Sequence, residues 1–180
     1  GQIPTILKIN SSNTLAQSMD QAVTGSVDDA IKMGCSAIGF TIYPGSDHNF
    51  DLMEEFRELS KEAKDKGLAV VLWAYARGKE ISKQGETAMN IISYAAHMSA
   101  LLGANIIKVK LPTDFIEDDP TKVAFEKKLI EIGSLRDRVA HIKKVAFAGK
   151  RIVVFSGGDT KDDNALMDEI KAIHHGGGNG

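Results

Sequence analysis

The sequence predicts an α/β protein with a parallel sheet, and within that class an incomplete (β/α)8 TIM barrel of about five βα units. Two observations support this prediction. Short apolar segments rich in β-branched residues alternate five times with longer segments of helical periodicity. Several predicted strands also keep one apolar face and carry polar side chains on the other. We therefore expect residues 1–180 to form a single partial barrel domain that lacks the N-terminal βα units and the last βα unit.

Each predicted strand is a short run of Val, Ile and Leu between glycines or polar residues, which is the pattern of a buried strand. The predicted strands span residues 4–10, 36–43, 69–75, 105–111 and 151–156. Because helical segments separate them, the strands are expected to lie parallel and to be joined by right-handed crossovers.

Helix start and stop signals separate these strands. Ser26 has capping-box spacing to Asp29, and Gly34 ends the helix that follows. The next helix is amphipathic from Asp51 to Lys66. Further helices are predicted at 86–102, around 121–131, from Ser134 to near Gly149, and from Asp162 onwards.

Two parallel architectures fit this alternation, a doubly wound open sheet and an arc of a barrel. Central strands of an open sheet are covered on both faces and are apolar throughout. Here polar side chains recur on one face of three strands, as Lys8 and Asn10, Trp73 and Tyr75, and Lys108 and Lys110. Functional side chains project from the C-terminal ends of barrel strands, so this pattern favours the barrel.

Composition is that of an ordinary soluble globular protein, with 43% apolar and 26% charged residues. The net charge of −2 and the absence of a basic stripe argue against a nucleic-acid partner. No apolar run approaches membrane-spanning length, and the single Cys35 cannot form an internal disulfide. We expect a cytoplasmic protein that binds neither nucleic acid nor membrane.

Lys108 and Lys110 are the most informative residues, because they share one face of a strand that is otherwise aliphatic. Burial disfavours the charged form of a lysine, and a neutral amine is the nucleophile that Schiff-base chemistry requires. Tyr75, which shares a face with Trp73 on another predicted strand, supplies a phenol for proton transfer. Strand alternation alone does not decide which of the two lysines is the nucleophile.

A glycine-containing turn follows the last predicted strand as Ser156-Gly157-Gly158. Backbone N–H groups at such a turn can bind an anion, and barrels often bind phosphate after the seventh and eighth strands. A plain turn is the alternative interpretation of so short a motif.

Five segments occur in the order found in the archaeal-type class I fructose-bisphosphate aldolases, and together they resemble that family over essentially the whole chain. The segments are Ile6–Asn10, Ile42–Ser46, Val71–Gly78, Gly103–Lys110 and Phe155–Gly158. The resemblance corresponds to the third to seventh barrel strands. The first strand, with its site aspartate, and the eighth strand, with its phosphate loop, have no counterpart.

The resemblance implies a Schiff-base lyase that needs no metal and no cofactor. It would interconvert fructose 1,6-bisphosphate with dihydroxyacetone phosphate and glyceraldehyde 3-phosphate, as a homo-oligomer in its full-length form. It makes Lys108 the Schiff-base lysine, with Lys110 as a neighbouring cation, and Tyr75 the proton-transfer residue. The implied substrate contacts are Trp73, Lys110, Ser156, Gly157 and Gly158.

Two other functions stay open at this stage. One is a related Schiff-base enzyme, either a transaldolase-like synthase or a thiolase, that acts on another phosphorylated sugar. The other is a non-catalytic module that binds sugar phosphates. An incomplete barrel also leaves unpaired sheet edges at residues 5–10 and 152–155, so we expect poor activity and self-association of the isolated chain.

Overall fold

The computed structural model describes residues 3–157 and 161–180. Its strands are β1 (Ile6–Lys8), β2 (Asn10–Ser11), β3 (Ala22–Val23), β4 (Ala37–Ile42), β5 (Ala69–Ala74), β6 (Ile106–Lys110) and β7 (Ile152–Ser156). Its helices are α1 (Val27–Lys32), α2 (Asn49–Asp65), α3 (Met89–Leu101), α4 (Asp119–Lys127), α5 (Leu135–Val145) and α6 (Asp163–His175), with a 3₁₀ turn at Gly85–Thr87 before α3.

The main sheet has five parallel strands in the order β1-β4-β5-β6-β7. Neighbours in the sheet follow one another along the chain, apart from the small hairpin between β1 and β4, as expected of successive βα units. Within the described residues the sheet is an open arc. The four later predicted strands each match an observed strand to within one residue at either end.

The first predicted strand, 4–10, is divided in two. β1 pairs with β4, whereas β2 leaves the main sheet and forms an antiparallel pair with β3 that the sequence pattern did not reveal. Asn10 lies at the division. Its amide donates to the Thr41 carbonyl at 2.8 Å and its Oδ1 accepts from the Thr41 N–H at 2.8 Å, so a side chain replaces the backbone ladder there.

One face of the main sheet is covered by the helices and forms the core. Phe40 of β4, for example, contacts Phe56 of α2, with ring centroids 5.7 Å apart. The core side chains of the strands alternate with those of the other face, as a pleated strand requires. On the helix side the fully buried strand residues include Ile38, Phe40, Ile42, Val70, Leu72, Ala74, Ile107, Val109 and Val153.

The predicted helix caps are confirmed. Ser26 forms a capping box with Asp29, and the Ser134 hydroxyl accepts from the Asp137 N–H at 3.1 Å. Gly34, which ends α1, has a φ of 70° that favours glycine. Helix α3 begins at Met89, later than the sequence predicted, because Glu86 lies in the preceding 3₁₀ turn.

The two edges of the sheet differ. Ile6 on β1 is 47% exposed, as predicted for an unpaired edge. At β7, the Phe155 N–H donates to the Gly180 carbonyl at 2.7 Å and the Asn179 N–H donates to the Val153 carbonyl at 2.9 Å. The C-terminal residues therefore run along β7 and partly cover the edge that was expected to be bare. Across the described ranges, no helix has both the length and the hydropathy that a membrane crossing requires.

Candidate active site

A cleft of about 840 Å³ opens at the C-terminal ends of β5, β6 and β7, and we call it the C-terminal cleft. Four of the seven residues that the sequence predicts for the site line it, namely Tyr75, Lys110, Ser156 and Gly157. Gly158 lies outside the described residues, so its role stays a prediction. The cleft also contains charged residues that the sequence interpretation did not assign to the site, among them Arg77, Lys83, Glu86, Arg138 and Lys161.

Lys108 and Trp73 each lie two residues before a cleft-lining residue, on the N-terminal side of Lys110 and Tyr75 along their strands. Trp73 and Lys108 are direct partners in the pairing of β5 with β6, and Lys110 is the partner of Ser156 in the pairing of β6 with β7. Lys108 and Lys110 point to the same face, and two residues along a strand span about 6.6 Å. Lys108 and Trp73 therefore lie at the base of the site and Lys110 at its mouth.

Space for the Trp73 indole comes from the neighbouring strand. Gly39 of β4 lies across from the ring, and a Cβ at this position would overlap the indole carbons. A glycine in a strand interior often marks such a close approach. This glycine therefore fixes where the largest side chain of the site can lie.

The two lysines of β6 have different surroundings. Lys110 Nζ donates to Glu86 Oε2 at 2.6 Å, and Glu86 also accepts from Lys83 Nζ at 3.1 Å. For Lys108, no hydrogen bond or ion pair to another described side chain is present, and the side chain is only partly exposed. The Lys110 amine is therefore engaged by a carboxylate, whereas the Lys108 amine has no such partner among the described side chains.

Glu86 is kept ionised by its two partners. Burial alone raises the pKa of its carboxyl group, but the hydrogen bonds and charges of Lys110 and Lys83 act more strongly in the opposite direction. The net pKa is lowered, so the side chain is a carboxylate at neutral pH. Only 13% of this side chain is exposed.

Tyr75 directly follows β5, and its N–H continues the sheet ladder by donating to the Ile42 carbonyl at 3.1 Å. Burial raises the pKa of the phenol, and the nearby Ser156 hydroxyl acts in the opposite direction. Because the net shift is upward, Tyr75 is protonated at neutral pH and can donate a proton. Ser156 Oγ in turn donates to the Val109 carbonyl at 3.2 Å.

A third lysine lies on the same face of the sheet. Lys8 Nζ donates to Gln21 Oε1 at 2.7 Å and to the Asn10 backbone carbonyl. Partial burial lowers the pKa of this amine. Gln21 also donates to the Tyr43 hydroxyl at 2.8 Å, and the Arg77 guanidinium lies 5.8 Å from the centre of the Tyr43 ring.

Sequence reasoning missed most of these additional charged residues for one reason. Glu86, Lys83 and Arg138 lie in turns or on a helix, where nothing in strand alternation marks them. Arg77 belongs to a segment that carried the family resemblance, so that segment was the one available signal. Arg138 itself binds the carbonyls of Pro112, at 2.9 Å, and Ile132, at 2.8 Å, and so holds the loop after β6.

A family model and curated proteins of similar sequence both relate this chain to aldolases. The family model described as DeoC/LacD family aldolase matches residues 1–180. The class 1 fructose-bisphosphate aldolase of Thermoproteus tenax is 31% identical over 98% of this chain and 59% of its own length. The corresponding enzyme of Halobacterium salinarum is 34% identical over 97% of this chain and 57% of its own length. The chain thus spans less than two thirds of these curated relatives.

Solved structures that resemble this chain are also named as fructose-1,6-bisphosphate aldolases. An archaeal fructose-1,6-bisphosphate aldolase, whose catalytic lysine is covalently bound to the carbinolamine intermediate, has a TM-score of 0.78 at 29% identity. A Schiff-base-forming fructose-1,6-bisphosphate aldolase has a TM-score of 0.77 at 30% identity. Each match covers 99% of this chain and 62% of the other. These neighbours are TIM-barrel aldolases, so the predicted fold class is confirmed. The chain belongs to the DeoC/LacD family of aldolases.

Proposed function

We propose that the protein to which this chain belongs is a class I fructose-bisphosphate aldolase, and that Lys108 forms the Schiff base. One observation carries the assignment of the lysine. Of the two lysines of β6 on the site face, Lys110 is ion-paired with Glu86 at 2.6 Å, which leaves Lys108 as the nucleophile. The relatives of similar sequence carry the name of this activity.

The first half of the proposed reaction forms the electron sink. The lone pair of the Lys108 amine attacks the C2 ketone of fructose 1,6-bisphosphate and gives a carbinolamine. Loss of water, with proton transfer to the departing hydroxyl, gives an iminium ion. Tyr75, at the mouth of the site and protonated at neutral pH, is the group proposed to supply that proton.

The second half breaks the carbon–carbon bond. The C4 hydroxyl loses its proton, C4 becomes the aldehyde of glyceraldehyde 3-phosphate, and the electron pair of the C3–C4 bond moves to C3 and the iminium to form an enamine. Protonation at C3 and hydrolysis then release dihydroxyacetone phosphate and return the free lysine. Tyr75 is proposed to move the proton between these positions.

We expect one phosphate group of the substrate to bind at the end of the C-terminal cleft that lies next to the C-terminus of β7. Ser156 and Gly157 line it there, and Gly158 is proposed to complete the loop. Trp73 is proposed to contact the sugar at the base of the site. The cations of the cleft lining, which include Lys110, Arg77 and Lys83, favour a dianionic ligand.

A second candidate function is binding of a sugar phosphate without catalysis. The cations that line the C-terminal cleft favour it, because they could bind a sugar phosphate without any covalent step. Borohydride reduction with dihydroxyacetone phosphate separates the two functions. An aldolase gains a stable covalent adduct, seen by intact-protein mass spectrometry, whereas a binding module gives the same mass as protein treated with borohydride alone.

We also propose that the protein self-associates and acts in the cytoplasm. The exposed apolar side chains at and beside the β1 edge support self-association of the isolated chain, with Ile3 87% and Ile6 47% exposed. Analytical ultracentrifugation over a range of concentrations tests it. A single monomeric species at every concentration would refute self-association.

A further inference from the structure

Glu86 is a charged residue at the candidate site to which the proposed reaction gives no step. Its side chain is 13% exposed and bridges two amines, Lys110 at 2.6 Å and Lys83 at 3.1 Å. Lys110 is itself only 26% exposed, whereas Lys83 is 87% exposed. A largely buried carboxylate is costly without partners, and here both oxygens have one.

The turn that carries this carboxylate is fixed to the loop after β6. The Thr113 N–H donates to the Thr87 carbonyl at 2.8 Å, and the Glu117 carboxylate accepts from the Ser82 N–H at 2.7 Å and from its hydroxyl at 2.9 Å. Gly85 packs so closely on Glu117 that a Cβ would overlap the carboxylate. The acceptor for Lys110 is therefore held in one place relative to β6.

Lys110 is held beside the phosphate end of the cleft. It is the direct partner of Ser156 in the pairing of β6 with β7, and both line the cleft together with Gly157. A free lysine side chain has several rotamers, and a ligand must order them when it binds. A lysine already tied to a fixed carboxylate loses less freedom, so a phosphate should bind it more tightly.

The ion pair between Glu86 and Lys110 also has an unfavourable effect on phosphate binding. A carboxylate next to Lys110 reduces the positive potential that a phosphate meets. The group made of Lys83, Glu86 and Lys110 still carries one net positive charge, and both ammonium groups retain donors for a ligand. Because the group keeps a net positive charge and free donors, we expect the pre-ordering of Lys110 to have the larger effect on phosphate binding.

We propose that Glu86 is a positioning residue that holds the Lys110 ammonium beside Ser156, so that Lys110 binds the substrate phosphate and does not compete with Lys108 for the carbonyl. This inference rests on the proposed Schiff-base function. It assigns Glu86 a role that acts entirely through Lys110 and concerns only substrates that carry a phosphate.

The test compares two ligands that differ only in the phosphate, dihydroxyacetone phosphate and dihydroxyacetone. Borohydride trapping is measured against ligand concentration for the full-length protein as wild type, Glu86→Gln and Glu80→Gln. Glu80→Gln is the matched control, because it removes one exposed carboxylate from the same segment between β5 and α3. We expect Glu86→Gln to raise the half-saturating concentration of dihydroxyacetone phosphate by about 2- to 10-fold and to leave that of dihydroxyacetone unchanged.

A double variant separates positioning from general damage. In a Lys110→Gln background, Glu86→Gln should cause no further loss, since the proposed effect passes through Lys110. An equal weakening of both ligands would mean a structural role and would overturn the proposal, as would tighter binding of dihydroxyacetone phosphate by Glu86→Gln. Absence of any adduct in the wild-type full-length protein would instead refute the proposed Schiff-base function, so the two failures are distinguishable.

Discussion

The two faces of the main sheet come from the same strands but have different chemistry. On the helix side, side chains such as Ile107 and Val109 are fully buried and apolar. On the cleft side the same strand carries Lys108 and Lys110, both partly exposed. Because side chains alternate between the two faces of β6, a substitution on the helix side should mainly change stability, and a substitution on the cleft side should mainly change function.

The largest effect is expected at Lys108. Lys108→Arg should abolish the borohydride adduct, because arginine stays protonated at neutral pH and cannot attack a carbonyl. Intact-protein mass spectrometry gives the result, and Lys127→Arg, at an exposed position of α4, is the control. If the adduct persists in Lys108→Arg and is lost in Lys110→Arg, the lysine assignment is wrong.

The next largest effect is expected at Tyr75. Tyr75→Phe should still form the adduct, although more slowly, and should slow cleavage of fructose 1,6-bisphosphate by about 10²- to 10⁴-fold, the usual contribution of a general acid–base group. The measurement is turnover of the full-length protein in a coupled assay. An unchanged rate would move proton transfer to another group on the cleft.

Stability should respond to the helix-side face instead. Ile107→Ala should lower the free energy of unfolding by about 2–5 kcal/mol, because it leaves a cavity in the core. Ile106→Ala, one residue away on the cleft side and only partly buried, is the matched control and should cost clearly less. Urea denaturation of both variants makes the comparison, and equal losses would contradict the division between the two faces.

The smallest effect is a pH dependence from Glu86. Because its pKa is lowered in the folded state, the carboxylate stabilises the fold fully above its ordinary pKa of 4.5, and this contribution is lost as the pH falls through the folded value. The stability advantage of the wild type over Glu86→Gln should therefore shrink in acid. Urea denaturation at about pH 7 and about pH 3 tests it, and a difference that grows in acid would reverse the sign.

Much of the fold follows from local patterns. The runs around Phe40, Leu72 and Ile107 are strongly β-branched or aliphatic and lie between glycines, prolines or polar residues, so their strands could be predicted to within one residue. The β2–β3 pair could not, because it depends on Asn10 binding the backbone of Thr41 across 31 residues of sequence. Cover of the β7 edge by Asn179 and Gly180 is likewise a long-range contact.

The candidate site was predictable only where it lies on strands. Alternation placed Lys108 and Lys110 on one face and left the choice between them open. The Glu86 carboxylate distinguishes them, and it reaches Lys110 from a turn 24 residues earlier in the chain. Such a contact depends on how the βα units pack together, so it cannot be predicted from the spacing of residues within one strand or helix.

The identity of the trapped lysine tests the central claim most directly. The wild-type full-length protein would be reduced with borohydride in the presence of dihydroxyacetone phosphate, digested, and mapped by tandem mass spectrometry. We predict the adduct on Lys108, with Lys110 and Lys8 unmodified, because these two amines are already bound to Glu86 and Gln21. An adduct on Lys110 would contradict the account, since the ion pair that is proposed to hold this residue would not have kept it from the carbonyl.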